Sequence, residues 1–509
     1  MCLEKHFLIY LAAIFLTAVG VSGVFPLVTS LNIEEAAVTA SIAIGYALSI
    51  ISTLIAPSIE VVFGVKTLIV AAPVLFLMFV LGNIYAASYT LIPAGLFNGI
   101  AEGWFWGVGT YVATNFAILA SRSDSSNYSE RRSRYIGFFF AAAQSAVIAS
   151  SGISFLFLFV DKTLSGKGNF TRNQDFSFCG ANDCQDPNIT LANIDQYTPA
   201  YPATRYSLIG FLALLEVIAI VLQVVYLPKN INQCMNQLES PIPEGGDRRQ
   251  SDIIEPCRTL EGASLESQSP SDLQQPASSD QAQKKDPLNP LHVLKTSLKC
   301  TFELLLKPKH LLVMLLPIYD GLLIGFFYAE VTRGFVSCAL GVDKVGIATI
   351  LFGGSDALTS CLVGKFAGKY GRNIPYIFAF FVDIGNYTAC LHWKITEENS
   401  WAIYILSFSF GLTDGVWQTL SNEMYGSYFE KDAKYAYVLW TLMVQLGLLI
   451  QFSISKALCV WQKIYLQMAV LSVGFFLYGI SWNFYVWRRR QLKTKDCDVV
   501  VVTATGEKD

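Results

Sequence analysis

The stretch Trp401–Glu430, WAIYILSFSFGLTDGVWQTLSNEMYGSYFE, decides the fold because it is long and apolar and then turns polar about a third of the way along. At about 1.5 Å per residue, a helix of this length crosses a hydrocarbon core of about 30 Å. A carboxylate at membrane depth costs at least about 2.5 kcal/mol, so Asp414 must face a bundle interior or a wet cavity. The polar residues of the stretch share one helical face with it: Gln418, Ser421, Asn422 and Tyr425. This polar face predicts a membrane helix that needs partner helices.

The composition of the chain indicates that it contains further membrane helices, which are the partners that this helix needs. Its 509 residues are 53% hydrophobic and 15% charged, with 35 Phe and a mean hydropathy of +0.44. These values are typical of a polytopic membrane protein. The net charge of -3 gives no basic field, which excludes nucleic acid as an expected partner. We find no phosphate loop, no zinc motif and no Ser/His/Asp set, so we expect neither a cofactor, nor a metal, nor an enzyme.

Twelve apolar segments follow from the hydropathy pattern, the first of which is too long for a signal peptide and is taken as a retained helix. Their approximate ranges are 7–31, 36–56, 67–87, 90–119, 135–160, 204–227, 310–332, 343–365, 375–393, 401–425, 436–458 and 464–487. Short basic clusters at 131–134 and 488–490 place those loops, and both termini, on the cytoplasmic side. We expect a plasma-membrane protein embedded in the lipid bilayer, with an endosomal membrane as the alternative.

The loop 161–203 falls on the luminal or extracellular side in this topology. It carries two N-glycan acceptor patterns, at Asn169 and Asn188. The same pattern also arises by chance, since Asn127 begins one on the predicted cytoplasmic side and Asn386 begins one inside a helix. We therefore predict glycans at the two loop positions, with a chance match as the alternative.

Two cysteines in the same loop, Cys179 and Cys184, are separated by Gly-Ala-Asn-Asp. A short, turn-rich spacing in an oxidising compartment predicts a local disulfide between them. The alternative is a pair of free thiols. Such a ring would be too small to stabilise the fold much, so its role would be to shape the loop.

The domain organisation is two six-helix halves around a polar insert. Residues 1–227 form an N-terminal bundle, and 310–487 form a C-terminal bundle followed by a cytoplasmic tail, 488–509. Between them, 228–309 is rich in Ser, Pro, Gln and acids and predicts a disordered cytoplasmic linker. The last part, Lys295–Lys309, predicts a short basic helix at the membrane surface.

The two halves repeat one motif at equivalent places. Gly99-Ile-Ala-Glu102-Gly103 in the fourth segment matches Gly411-Leu-Thr-Asp414-Gly415 in the tenth. Parallel six-helix repeats are the plan of the major facilitator superfamily. We therefore predict an all-α membrane protein with twelve transmembrane helices and the fold of that superfamily.

Several longer motifs make the chain resemble one family. They are Leu315-Leu-Pro-Ile-Tyr319, Ala329-Glu-Val-Thr-Arg333, Ser355-Asp-Ala-Leu358, Gly411-Leu-Thr-Asp-Gly-Val-Trp-Gln-Thr419, Tyr425-Gly426, Phe429-Glu-Lys431 and, in the first half, Tyr89-Thr-Leu-Ile-Pro93 and Cys179-Gly-Ala-Asn-Asp-Cys184. The chain resembles the Unc-ninety-three-like ("uncoordinated") family of the major facilitator superfamily over nearly all of its membrane part. The resemblance implies a twelve-span protein that acts as an accessory or regulatory subunit of a potassium channel, or in potassium balance.

Acidic residues inside the apolar segments are the candidate functional groups: Glu102, Asp414, Asp356 and Asp320. A transporter would use them as proton or cation sites, whereas a structural role would pair them with bases or hydroxyls. Glu330 and Arg333, three residues apart at a helix end, predict an ion pair. Trp104, Trp106 and Trp417 lie beside the acids, where packing is the alternative to substrate stacking.

Two functions from different classes follow. In the first, the chain is a regulatory subunit that contacts a potassium channel. In the second, it is a proton- or cation-coupled secondary transporter that carries an unidentified small solute or cation past Glu102 and Asp414.

Overall fold

The computed structural model describes residues 2–31, 35–85, 87–124, 128–165, 179–184, 202–227, 290–341 and 344–505. Throughout these ranges the regular structure is helical, and no strand occurs in them. This agrees with the predicted all-α class.

Six long helices form the first half. They are α1 Cys2–Leu31, α2 Glu35–Phe63, α3 Val65–Gly82, α4 Ser88–Asp124, α5 Tyr128–Ser165 and α6 Pro202–Tyr226. Between α5 and α6 the structure describes residues 179–184, which contain a 3₁₀ turn, Gly180–Asn182. Gly64 separates α2 from α3 with a φ of 83°, a conformation in which glycine has no steric cost.

A separate helix, α7 Pro290–Leu305, precedes the second half. The long helices of the second half are α8 Leu315–Phe326, α9 Val345–Tyr370, α10 Asn373–His392, α11 Ala402–Tyr428, α12 Ala433–Ile454 and α13 Val460–Thr505. Helix α8 continues without interruption as a π-helix, Phe327–Ser337, which is followed by a last α-helical turn, Cys338–Leu340. π-Helical segments occur often at functional sites, and this one carries Tyr328 and Glu330.

Ten helices in the described ranges are long and apolar enough to cross a membrane. Two other long helices, α4 with 37 residues and α11 with 27, are not among the ten. Both exceed the thickness of the hydrocarbon core at about 1.5 Å per residue. They are the two helices that carry the repeated glycine and acid motif, so polar side chains lower their hydropathy.

The halves meet along equivalent helices. Within each half the second helix packs on the fourth, α2 on α4 and α9 on α11. Across the interface α5 packs on α9 and α2 packs on α12, so the second and fifth long helices of each half, counted from α1 and from α8, form the contact. The two halves therefore contribute equivalent pairs of helices to the interface.

The polar insert requires one correction. We predicted disorder over 228–309 with a short helix from Lys295, but α7 already begins at Pro290 and packs against both α2 and α12. Its buried side chains are Ser297, Thr301 and Leu304. The helix predicted from Lys295 is therefore present, but it begins five residues earlier and packs against both halves, so the expectation of disorder is wrong from Pro290 onward. Residues 228–289 lie outside the described ranges.

Candidate functional site

A cavity of about 140 Å³ lies where the two halves meet. Its wall includes Glu102 from α4 in the first half, and Asp320 from α8 and Asp414 from α11 in the second. Three of the four candidate acids thus share one cavity. The fourth, Asp356 of α9, contacts Asp414 from behind the wall.

Glycines explain why the two motif helices approach their neighbours so closely. A side chain at Gly99 would collide with the carbonyl oxygen of Gly45 in α2, and one at Gly411 would collide with the carbonyl oxygen of Phe352 in α9. A Cβ atom at Gly415 would lie 2.7 Å from the carbonyl oxygen of Asp356. The glycines of the motif therefore allow close contact with the neighbouring helix. The acid, three residues after the first glycine, faces the interface between the halves.

The carboxyl groups of the second half form a cluster. Asp414 lies close to both Asp320 and Asp356, and all three side chains are fully buried. Ionised carboxylates at such close approach repel each other. Among the described residues, no Lys, Arg or His forms an ion pair with any of the three. The cluster therefore needs protons or a mobile cation to be stable.

A chain of amides joins this cluster to the first half. Gln418 Nε2 donates to Asp414 Oδ2 at 3.0 Å, and Gln144 Nε2 of α5 donates to Gln418 Oε1 at 3.2 Å. On the other wall, Trp106 Nε1 donates to Glu102 Oε2 at 2.6 Å. Glu102 and Asp414 are thus held by neutral donors, and the amide chain crosses the interface.

The predicted polar face of α11 is buried along its length. Ser421 accepts a 2.7 Å bond from Trp440 Nε1 of α12. Asn422 and Tyr425 are fully buried, and the Tyr425 ring packs edge-on against His310 at 5.7 Å. The face therefore points into protein, as a lipid-excluded face must.

Asp383 of α10 is a further buried acid, outside the set of four candidates. Its carboxylate accepts bonds from Tyr319 at 2.8 Å, Thr413 at 2.6 Å and Trp417 at 2.7 Å. Trp417 also stacks on Tyr376 at 5.3 Å, so this indole packs in the core and does not line the cavity. Three donors compensate the burial of one carboxylate, which favours a structural role for Asp383.

One end of the interface is closed by charges. We call this side the ion-pair face: Arg132, Arg372 and Glu423, with the pair Glu60–Lys434. Arg132 of α5 and Arg372, which precedes α10, lie 3.2 and 3.4 Å from the Glu423 carboxylate of α11. Lys434 of α12 lies 2.9 Å from Glu60 of α2. Two of these pairs cross between the halves and hold this end closed.

The opposite end, which we call the disulfide face, contains 179–184, Cys338 and Cys459. Here a prediction is wrong: Cys179 pairs with Cys338 and Cys184 pairs with Cys459, instead of with each other. The loop segment lies flat on the second half, where the Asp183 carbonyl accepts a 3.0 Å bond from the Val460 amide. Each sulfur therefore meets a partner from the second half. The predicted glycan sites Asn169 and Asn188 lie outside the described residues.

The predicted pair Glu330–Arg333 is also not formed. Glu330 lies 2.7 Å from Lys463 of α13, with both side chains fully buried, and it accepts a 2.9 Å bond from Ser455. Arg333 approaches Asp183 of the loop at 3.9 Å. In the π-helical segment, residues three apart do not share the face they share on an α-helix, so each side chain reaches a different neighbour.

Comparison with known proteins shows the family to which this chain belongs. A family model described as "Ion channel regulatory protein UNC-93" matches residues 29–483, which include most of both halves. The chain belongs to the UNC-93 family.

Relatives of this UNC-93 chain span nearly its whole length. It is 27% identical over 476 residues to "Protein unc-93 homolog A" of Xenopus laevis, covering 93% of this chain and 92% of the relative. It is 28% identical over 479 residues to the protein of the same name in Bos taurus, with 93% and 92% covered. A shorter match, 27% over 163 residues, covers 32% of this chain and 23% of "Putative potassium channel regulatory protein unc-93" of Caenorhabditis elegans.

Some residues of the UNC-93 site were not visible to sequence reasoning. Gln144 is the single amide of α5, Gln445 is one of two glutamines in α12, and Lys463 is a lone base near a helix start. A polar residue inside an apolar span is itself a signal of an interior position. Only the tertiary structure, however, shows which side chain it meets.

Proposed function

We propose that this UNC-93 family member is a regulatory subunit of a potassium channel. The match of the family model to residues 29–483 carries the proposal, because the family is described as an ion channel regulator. The class of channel follows from the name of the Caenorhabditis elegans relative. In this role the protein acts within the bilayer, through contacts between its helices and those of the channel.

The first test is purification of the complex. A tagged copy is extracted from its native cells in a mild detergent, and the co-purifying proteins are quantified by mass spectrometry. We expect a potassium channel at a stoichiometric yield. A chain that elutes alone, still folded, would argue against a stable subunit.

The second test measures current. The co-purified channel is expressed with and without this chain, and whole-cell potassium current is normalised to channel abundance at the cell surface. We expect the normalised current to change at least twofold. Equal currents at equal abundance would overturn the proposal.

Secondary transport is the other candidate, and the cavity is the observation that favours it. Carboxyl groups from both halves face one cavity at their interface, an arrangement that supports a proton- or cation-coupled cycle. In this case the protein would carry a small solute or cation past Glu102 and Asp414.

Reconstituted vesicles distinguish the transporter from the regulator. Proton movement is followed with a trapped pH dye while an inward potassium gradient is imposed. Transport predicts a flux that Glu102→Gln and Asp414→Asn abolish at unchanged protein content. A wild-type flux no greater than that of empty vesicles would remove proton-coupled potassium exchange from this candidate.

We also propose the membrane arrangement that underlies both roles. In it, α4 and α11 join the ten apolar helices to give twelve spans in the major facilitator plan, with 1–227 and 310–487 as its two bundles. The ion-pair face and both termini lie on the cytoplasmic side, in a plasma membrane or an endosomal membrane. The equivalent packing of the second and fifth helices in each half supports this arrangement.

A further inference from the structure

We propose that the cavity between the halves binds a small organic cation, a protonated or quaternary amine that also carries a hydroxyl or carbonyl oxygen. The proposal concerns binding alone. It rests on neither candidate function, because a bound ligand could be carried or could set the state of a regulator.

The acidic side chains of the cavity wall favour a cationic ligand. Glu102, Asp320 and Asp414 line the cavity, and no Lys, Arg or His is among the described residues that line it. Neither oxygen of Asp320 accepts a bond from an amide, hydroxyl, indole or base in the described ranges. Asp414 Oδ1 likewise has no such donor in these ranges. Buried carboxylates without compensation cost several kcal/mol each, so a positive ligand stabilises this wall.

Aromatic rings indicate which kind of cation fits. Those of the cavity wall come from both halves: Tyr46, Trp106, Tyr328, Phe352, Trp440 and Phe452. The faces of such rings attract ammonium groups, and aromatic cages recognise quaternary amines. Tyr46 and Phe452 stack across the interface with centroids 5.6 Å apart, so the cage includes rings of both halves. An inorganic ion would prefer oxygen ligands at a defined geometry, and no group of three or more acids, His or Cys in the described ranges is arranged to hold a metal.

Gln445 of α12 indicates the second feature of the ligand. Its side chain is 2% exposed and lines the cavity, and its Oε1 accepts a 2.9 Å bond from the Thr53 hydroxyl of α2. Its Nε2 has no partner among the described residues. Because a buried amide donor without a partner is destabilising, this group favours a ligand with an acceptor oxygen.

The size of the cavity limits the ligand. A cavity of about 150 Å³ holds a benzene molecule, and this one is about 140 Å³. The ligand therefore has about six or seven heavy atoms. Sugars and nucleosides, which need the larger pockets typical of drug-sized ligands, are too big.

Choline is the probe that matches these features. The full-length chain is purified in a non-ionic detergent free of phosphatidylcholine, whose headgroup would compete, and binding of radiolabelled choline is measured. The competitors are tetramethylammonium, which lacks the hydroxyl, and 3,3-dimethylbutan-1-ol, which has the shape of choline without its charge. Potassium chloride tests an inorganic cation.

We expect saturable choline binding and at least tenfold weaker competition by the uncharged alcohol. Asp320→Asn is expected to weaken choline binding at least tenfold. Glu303→Gln is the matched control, because the same neutralisation occurs at an exposed carboxylate of α7 that pairs only with Lys299 in the described ranges. Gln445→Met is expected to remove the preference for choline over tetramethylammonium.

Four results would overturn the proposal. They are no saturable binding to the folded wild-type chain, equal competition by the uncharged alcohol, equal competition by potassium at the same concentration, and unchanged affinity in Asp320→Asn. If Asp320→Asn does not fold, the preference lost in Gln445→Met decides the question, and a preference kept there contradicts the proposal. Choline binding by a chain that changes neither channel current nor vesicle flux would leave the inference intact and reject the proposed functions.

Discussion

Arg132 Nη2 lies 3.2 Å from Glu423 Oε1, and this contact joins α5 of the first half to α11 of the second. The two side chains are 3% and 9% exposed, and the second carboxylate oxygen faces Arg372. Glu423 follows Asp414 by nine residues on the same helix, which places the ion-pair face about 13 Å from the cavity. One helix thus connects the acid of the cavity to the charges that close the interface.

Loss of the Glu423 carboxylate should destabilise the closed interface. Glu423→Gln removes the carboxylate that lies 3.2 Å from Arg132 and 3.4 Å from Arg372, and breaking a buried ion pair typically costs about 3–5 kcal/mol. We expect a marked fall in the melting temperature of the detergent-solubilised chain. Lys299→Gln, in a pair 3.8 Å apart with 72% and 63% exposure, is the control and should leave the melting temperature unchanged. A fall of equal size in both variants would contradict the assignment.

The glycine contacts predict a sharp positional effect. Gly99→Ala and Gly411→Ala each place a methyl group against a backbone carbonyl of the neighbouring helix, which cannot move without separating the pair. We expect both variants to lose most of their monodisperse protein in size-exclusion chromatography. Gly385→Ala on α10 meets no atom within 4 Å and should be tolerated, or gain up to about 1 kcal/mol from better helix propensity. Normal yields of Gly411→Ala would mean that α9 and α11 are farther apart.

The buried pair Glu330–Lys463 predicts non-additive effects. Lys463→Met removes the buried base that lies 2.7 Å from Glu330, and we expect a loss of about 3–5 kcal/mol. In the double variant Glu330→Gln with Lys463→Met no charge is buried, and the amide oxygen still accepts from Ser455. Thermal melting should therefore show the double variant to be more stable than Lys463→Met alone. The reverse order would indicate that Lys463 acts through other contacts.

The disulfides predict a covalent link between the halves. A specific protease site inserted between 240 and 280 would allow the chain to be cut in two. We expect one band on a gel without reductant and two bands after reduction, because Cys179–Cys338 and Cys184–Cys459 both cross the cut. Cys184→Ser should keep one band, and Cys179→Ser with Cys184→Ser should give two. Two bands from the wild-type chain without reductant would argue against the observed pairing.

Glycan sites test the proposed orientation. If the loop 161–203 faces the lumen, treatment with an N-glycosidase should reduce the apparent mass of the chain, and Asn169→Gln with Asn188→Gln should abolish the shift. Asn127→Gln is the matched control, since its acceptor pattern lies on the proposed cytoplasmic side. A shift that disappears only in Asn127→Gln would invert the orientation.

Local patterns were enough to find the centre of the site. A carboxylate within an apolar run has few stable places, so the sequence alone was enough to assign Glu102 and Asp414 to an interior. Their shared glycine spacing indicated equivalent helices, and the structure brings both acids to one cavity. The polar residues of α11 were likewise recognisable from helical periodicity.

Pairings over long distances could not be predicted in this way. Cys179 and Cys184 are neighbours in sequence, and spacing alone favours a bond between them. Their true partners lie 159 and 275 residues away, where only tertiary packing brings the sulfurs together. The same holds for Glu330, whose nearby base Arg333 is a local candidate while Lys463 on α13 is the partner found. Asp383 was visible as an acid, but its three donors come from α8 and α11.

The two long-range disulfides also set an order for the biosynthesis of the chain. Cys179 has no partner until synthesis has passed the eighth helix and reached Cys338, and Cys184 has none until synthesis reaches Cys459, 275 residues later. Cys184 therefore stays reduced, or pairs wrongly, until the last membrane helix is about to be inserted. Oxidation of the second pair marks the moment at which the membrane part of the polypeptide is nearly complete, so a truncated product would expose an unpaired thiol that thiol-dependent retention can detect.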